Sequence, residues 1–419
     1  MARRTGSADL PLHNGRVPAW LAGRMATLGS VICQAIVEHY GRDELLCRLA
    51  HPFWFQSFGS VMGMDWHSSG ITTSVIGALK RGLDPLKDEL GIYVCGGRGR
   101  HSRRTPDELS VLGDRVGVDS EGLIRASRLV AKVDSAAVQD GFDLYLHGFF
   151  VTREGRWTVV QQGMNGEKRQ ARRYHWHSGS LSSFVDQPHA AIEGPAQGEI
   201  INLTDRRAEK SRSAQLDLLA SLGPDRIVKE LLSQSQPDSP AAPPSEQLSL
   251  LHLIMPDHHD LRSSDVFTRR LHATLAAAAE QGPVDFPELL LTPGVGARTV
   301  QSLAMVAEVV HGAPYRFQDP GRFSLALGGK DRQPFPVPIK VYDETITVLK
   351  SAMQKAKLGN SELLAALKRL DDQSRRLETS ARGPSLETHI ARERARSAEF
   401  GGLSVFGSES PETDETASS

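Results

Sequence analysis

The segment Leu291-Thr292-Pro293-Gly294-Val295-Gly296-Ala297-Arg298-Thr299 constrains this chain more than any other. A proline and two glycines within four residues do not continue a helix. Both flanks nevertheless carry helical spacing: Asp285–Leu291 before the turn, and Ala297–His311 after it, with Val300, Leu303, Ala304, Ala307 and Val310 on one face. The spacing predicts two helices joined by a tight turn over 285–311. Glycines at both turn positions let a phosphate approach the backbone without a Cβ in the way. The N–H groups opening the second helix, at the positive end of its dipole, suit an anion. Arg298 adds charge beside them. A contact of this kind grips the nucleic-acid backbone without reading bases. Pro293, Gly294, Val295, Gly296, Arg298 and Thr299 are therefore the expected DNA contacts. The plain alternative is an ordinary glycine-containing turn between helices.

Composition makes such a dedicated site necessary. The 49 basic and 50 acidic residues nearly cancel, so no global field holds a polyanion. Cys33, Cys47 and Cys95 contain no CxxC pair, which gives neither a disulfide framework nor a thiolate zinc site. No apolar run approaches the roughly 18 to 20 residues that span a bilayer, and the N-terminus has no apolar signal core. A cytoplasmic protein with no membrane partner is expected.

At 419 residues the chain exceeds the size at which one core usually stops growing, so two domains are expected. Helical spacing runs from Trp20 to about Tyr40, with Gly41 as its stop. Ile92–Cys95, Leu129–Val133, Leu144–Thr152 and Trp157–Gln161 read as strands, the last two joined through Arg153–Arg156 as a hairpin. Residues 15–200 are thus expected to form an α+β domain with a catalytic role. Residues 205–378 read as an all-α DNA-binding domain containing the hairpin, interrupted by the Ser/Pro-rich stretch Ser233–Ser245. Residues 379–419 are polar and expected to be a disordered tail.

Several clusters carry possible chemistry. Asp65, Asp134 and Asp140 are expected near strand ends, where carboxylates gather divalent Mg²⁺ or Mn²⁺ to activate water in nucleases. Lys132, two residues from Asp134, would share its strand face as an ion pair or a phosphate clamp. Arg172, Arg173, Tyr174 and Trp176 mix bases with aromatics, which suits phosphate pairing and base stacking along a single strand or a flipped nucleotide. His175 and His177 could ligate metal but specify little alone. Asp257-His258-His259-Asp260 reads as a helix entrance, Arg206–Arg212 as a solvated helix face, and Gly328-Gly329-Lys330-Asp331 as a weak phosphate loop.

The turn and its flanks resemble the helix-hairpin-helix of many DNA-repair proteins. Within that group they are similar to the glycosylase superfamily, where the motif precedes a Gly-x-Pro and then an aspartate; Gly312-Ala313-Pro314 and Asp319 stand in those places. The resemblance implies that Asp319 acts at the sugar, with no cofactor. Arg298 stands where bifunctional members carry a nucleophilic lysine, so no Schiff-base lyase is implied. Pro52-Phe53-Trp54-Phe55-Gln56, Asp65–Gly70, Lys132–Gly141, Arg172–Trp176, the hairpin and Gly328–Asp331 together resemble a family catalogued as domain of unknown function 763, which supplies no reaction. The expected function is a DNA-repair or DNA-processing enzyme, in the first place a metal-dependent nuclease using Asp65, Asp134 and Asp140; the alternatives are a glycosylase using Asp319 and a non-enzymatic DNA-binding factor.

Overall fold

The computed structural model describes residues 10–11, 19–62, 64, 70–168, 170–234, 265–321, 403–404 and 407–408. Asp65–Ser69, Asp257–Asp260, Gly328–Asp331 and nearly all of 379–419 lie outside them, as does most of Ser233–Ser245.

A two-residue strand, β1 (Leu10–Pro11), precedes α1 (Ala19–Tyr40). Met25, Leu28, Ile32 and Ile36 line the buried side of α1, and Gly41, at φ +89°, breaks it from α2 (Arg42–Ala50). Next come α3 (Pro52–Val61), started by Pro52 with His51 Nδ1 accepting from the Trp54 N–H, and α4 (Gly70–Leu83). Helices α1 and α4 cross closely: a Cβ on Gly82 would stand 2.2 Å from the Ala26 carbonyl oxygen. A short α5 (Lys87–Leu90) leads through Gly91 into β2 (Ile92–Arg98), then α6 (Arg100–Arg103), α7 (Thr105–Val116) and α8 (Ser120–Lys132).

Helix α8 replaces the strand expected at Leu129–Val133. Asp119 caps its start, its Oδ1 accepting from the Gly122 N–H at 3.0 Å, and Leu123, Ala126, Leu129 and Val130 follow at spacings of three and four on the buried side. The Leu-Val-Ala-Lys-Val run is the end of that stripe, continued by a π-turn over Val133–Ala137. Lys132 and Asp134 consequently do not share a strand face.

From here the chain is mostly strand: β3 (Val138–Gln139), β4 (Asp143–Thr152), β5 (Trp157–Asn165), β6 (Gln170–His177), β7 (Ala191–Glu193) and β8 (Glu199–Asn202). The hairpin through Arg153–Arg156 joins β4 and β5 as expected. Then come α9 (Glu209–Ser221), α10 (Gly223–Gln234), α11 (Asp265–Gln281), α12 (Phe286–Leu291), α13 (Ala297–His311) and β9 (Arg316–Gln318).

The main sheet is antiparallel in the order β1-β6-β5-β4-β2, with β7 also on β6. Its two faces meet different cores. Leu146, Phe150 and Val160 pack with α1–α4, whereas Tyr93, Phe149, Val159, Tyr174 and Trp176 pack with residues from α7 through α13. That second cluster takes in residues from both sides of position 205. The architecture is α+β, an antiparallel sheet with helices on both faces. A small antiparallel sheet, β3-β8-β9, brings Asp319, one residue past β9, to Arg172 of β6.

Candidate functional site

The pair α12–α13 is built by local chemistry. Asp285 Oδ1 accepts from the Glu288 N–H at 2.8 Å, while Glu288 Oε2 accepts from the Val284 N–H at 3.0 Å, a reciprocal cap with Pro287 in the first turn. The Thr292 N–H closes α12 on the Glu288 carbonyl, and the Val295 N–H returns to the Thr292 carbonyl at 3.1 Å. Gly294 has φ +86°, a conformation that glycine adopts without Cβ strain. Pro293, Gly294 and Arg298 are exposed, whereas Thr292, Val295 and Thr299 are buried and anchor the turn. Gly296 offers no side chain to cap α13, and no side-chain cap bond closes the start of that helix among the described residues. Two side chains brace the turn from behind: Lys132 Nζ donates to the Val295 carbonyl, and Gln139 Nε2 to the Ala297 carbonyl at 2.9 Å. On α13, Val300, Leu303, Ala304 and Ala307 are buried, but Val310 is exposed because the helix outruns its support in the last turn.

Strand β6 points alternate residues to opposite faces, and both faces are covered. Arg172, Arg173, Tyr174 and Trp176 are therefore fully buried and bonded to protein groups rather than lining an open channel. Arg172 Nη1 donates to Asp140 Oδ2 and Asp319 Oδ1, both at 2.8 Å, and Nη2 to Asp319 Oδ2 at 2.6 Å and to the Pro195 carbonyl. The Tyr174 hydroxyl donates to Asp140 Oδ2 at 2.7 Å. Asp319 also accepts from the Gln197 and Gly321 N–H groups, and Asp140 Oδ1 from that of Phe142. Burial disfavours charge on Arg172, yet Asp319 and Asp140 together push its pKa up. Burial raises the Asp140 carboxyl, which Arg172 opposes and the Asp319 charge reinforces.

Asp134 belongs to a separate network. Its Oδ2 accepts from Gln161 Nε2 at 2.5 Å and Trp176 Nε1 at 2.9 Å, and its Oδ1 lies 2.5 Å from His189 Nε2. Gln161 continues to His147, whose far nitrogen lies 3.0 Å from Ser127 Oγ. Burial holds the His147 ring below its ordinary pKa. Asp134 and Asp140 thus each have protein donors of their own, and Asp65 lies outside the described residues. Among the described residues no group of three or more His, Cys, Asp and Glu is placed to hold a metal. Neither His175 nor His177 faces such a group: His175 accepts from Arg173 Nε and His177 meets Thr158.

On the opposite face Arg173 pairs with Glu193 and donates to Gln56 Oε1 at 2.9 Å. Burial lowers Arg173 and, against the pull of Arg173, pushes Glu193 up to about 7. A carboxyl whose folded pKa exceeds its ordinary value of 4.5 favours the fold below that value, and the contribution fades as pH rises through about 7. Urea titrations at pH of about 5 and about 8 should therefore show a larger stability drop with rising pH in the wild type than in Glu193→Gln. Equal drops would contradict this assignment.

Sequence reasoning missed His147, His189 and Glu193, and missed that Arg172 binds Asp319 across 147 positions. The alternation along β6 did contain part of this: it sets Arg172, Tyr174 and Trp176 on one face and Arg173 and His175 on the other.

Fold and networks define an α+β protein whose sheet is covered on both sides and carries paired ionisable groups in its interior. The chain belongs to the family described as Protein of unknown function (DUF763), whose model matches residues 6–337. No curated protein and no solved structure matches the chain. No helix among the described residues is long and apolar enough to cross a membrane.

Proposed function

We propose that this protein binds the phosphate backbone of nucleic acid, DNA in the first instance, through the turn between α12 and α13, a helix-hairpin-helix. The observation that carries the reading is the exposed Pro293–Gly294 knuckle set against the uncapped start of α13, with Arg298 exposed beside it. Lys132 and Gln139 hold the turn in this shape before any ligand arrives, which limits the ordering cost of binding. Contacts of this type position a duplex or a single strand without reading its sequence.

The variant Gly294→Asp/Arg298→Glu places two carboxylates where phosphates would sit. It should weaken binding of fluorescein-labelled duplex DNA by about tenfold or more, to a similar extent for unrelated sequences. Unchanged affinity, or a loss confined to one sequence, would sink the reading.

Catalysis by Asp65, Asp134 and Asp140 with Mg²⁺ or Mn²⁺, or by Asp319 without a cofactor, would be added to this binding. Asp134 and Asp140 would have to release Trp176, Gln161 and Arg172 to take a shared cation, and Asp319 would have to release Arg172 to act at a sugar. Binding needs no such rearrangement, and it is the reading the geometry supports best. Incubating end-labelled DNA with Mn²⁺ or EDTA, with and without alkali afterwards, tests the additions. Metal-dependent cuts would establish a nuclease, alkali-dependent breaks that survive EDTA a glycosylase, and intact strands a binding factor.

A further inference from the structure

Away from the hairpin, β2 forms one edge of the main sheet, and a cavity of about 820 Å³ opens along it between α4 and α7. This size suits a small organic ligand. Backbone bonding along β2 alternates. The Gly91 carbonyl and the Gly99 N–H bond to Arg153 and Tyr145 on the β4 side, so odd-numbered residues face β4 and even-numbered ones face the cavity.

At Gly96 the outward groups are taken by side chains. Glu108 Oε2 accepts from the Gly96 N–H at 2.8 Å, Lys80 Nζ donates to the Gly96 carbonyl at 2.7 Å, and Lys80 and Glu108 pair at 2.6 Å. Gly96, at φ +85°, is also where a Cβ would stand 2.3 Å from the His147 carbonyl oxygen. This clamp stops the free edge, leaving Ile92–Val94 between it and the Gly91 turn. Three residues are short for an added β-strand, which usually runs to about five or six. No described residue bonds to the outward N–H and carbonyl of Val94, so one donor and one acceptor stand side by side in the cavity.

The surroundings complete a chemical profile. Ile76, Leu83, Val111 and Leu146 supply apolar lining, and Val111 is 66% exposed. Lining cations are partly neutralised: Lys87 pairs with Asp84, Arg115 with Asp88 and Lys80 with Glu108. Among the described residues Arg81 and Arg104 have no side-chain partner, Arg98 meets only the Tyr145 ring, and Asp107 is the one lining carboxylate outside those pairs. The cavity therefore has an excess of positive charge at its mouth and a donor–acceptor pair over apolar walls.

We propose that this cavity binds a nucleoside phosphate unit, its base edge pairing with the Val94 backbone and its phosphates meeting Arg81, Arg98 and Arg104. An acidic peptide would match the charge but not the short free edge. The unit has two possible sources, a free nucleotide or one residue of a nucleic-acid strand. The site lies apart from the hairpin, and the proposal does not rest on it.

The test is a fluorescence titration of the full chain with mant-ATP, with ATP, inorganic tripolyphosphate and a short oligo(dA) as competitors. Saturable binding is expected, displaced by ATP and not by tripolyphosphate at equal concentration. Arg81→Glu/Arg104→Glu, and separately Val111→Trp, which fills the cavity from an exposed position, should each weaken it by about tenfold or more. Val94→Pro removes the N–H donor and should do the same where thermal melting shows it folded. Gly294→Asp/Arg298→Glu should leave mant-ATP binding unchanged even if it abolishes duplex binding. Displacement by oligo(dA) at far lower concentration than ATP would assign the unit to a strand, and the reverse order to a free nucleotide. The proposal is overturned if neither probe binds saturably, if tripolyphosphate competes as well as ATP, or if the arginine and Val111 variants bind like the wild type.

Discussion

Arg172→Ala is expected to lower the unfolding free energy by about 3–5 kcal/mol, the range for removing one partner from a buried ionic group. Arg172 is completely buried and is the only cation bonded to Asp140 and Asp319 among the described residues. Without it two carboxylates share a buried site, where Asp140 is already raised by burial and by the charge of Asp319. The loss should appear as a lower urea midpoint with an unchanged slope. A companion variant separates charge from volume: Arg172→Met with Asp140→Asn and Asp319→Asn removes all three charges and should recover much of the loss. A change under about 1 kcal/mol for Arg172→Ala, or no recovery in the neutral triple variant, would contradict this account of the network.

Asp134→Ala is expected to cost about 3 kcal/mol or more, since it leaves Gln161 Nε2, Trp176 Nε1 and His189 without their shared acceptor. Asp134→Asn keeps one oxygen but turns an amide toward a donor, and should fall between alanine and wild type. Trp176 reports the change directly, because its ring nitrogen bonds to Asp134 inside the core. The measurement is urea unfolding followed by tryptophan fluorescence, in the presence of EDTA. A carboxylate kept for a cation would behave in the opposite way. Its removal would leave metal-free stability unchanged or raise it, and that result would return Asp134 to the metal-ligand set.

Much of the fold was legible where a single physical pattern ran long enough. Helix α1 follows its apolar spacing to Tyr40, and α13 spans Ala297–His311 as its spacing predicts. The β4–β5 hairpin follows from two apolar runs around Glu154-Gly155. Short windows failed. Leu129–Val133 looks β-like in isolation, but its role is set by Asp119, ten residues earlier, which starts a helix. The run Arg172–Trp176 failed for a different reason. Arginines alternating with aromatics are what a strand-binding surface requires, and also what a strand covered on both faces contains when each arginine has a buried carboxylate partner. Those partners, Asp140, Asp319 and Glu193, come from distant segments, so nothing local distinguishes the two cases. Asp319 reaches Arg172 only because β9 pairs with β8, and a three-residue strand leaves almost no periodic signal. The α12–α13 turn escaped this difficulty in part, because its caps and Gly294 lie within it, although the bracing by Lys132 and Gln139 left no local signal.

Salt dependence of duplex binding, measured on the wild type and on Gly294→Asp/Arg298→Glu, shows whether the turn between α12 and α13 grips a phosphate backbone. The logarithm of the association constant should fall linearly with the logarithm of salt concentration, with a slope of about −0.9 for each phosphate neutralised. Phosphate contacts at this turn require weaker binding in the variant and a slope shallower by about one or more. An identical slope and affinity in the two proteins would contradict them.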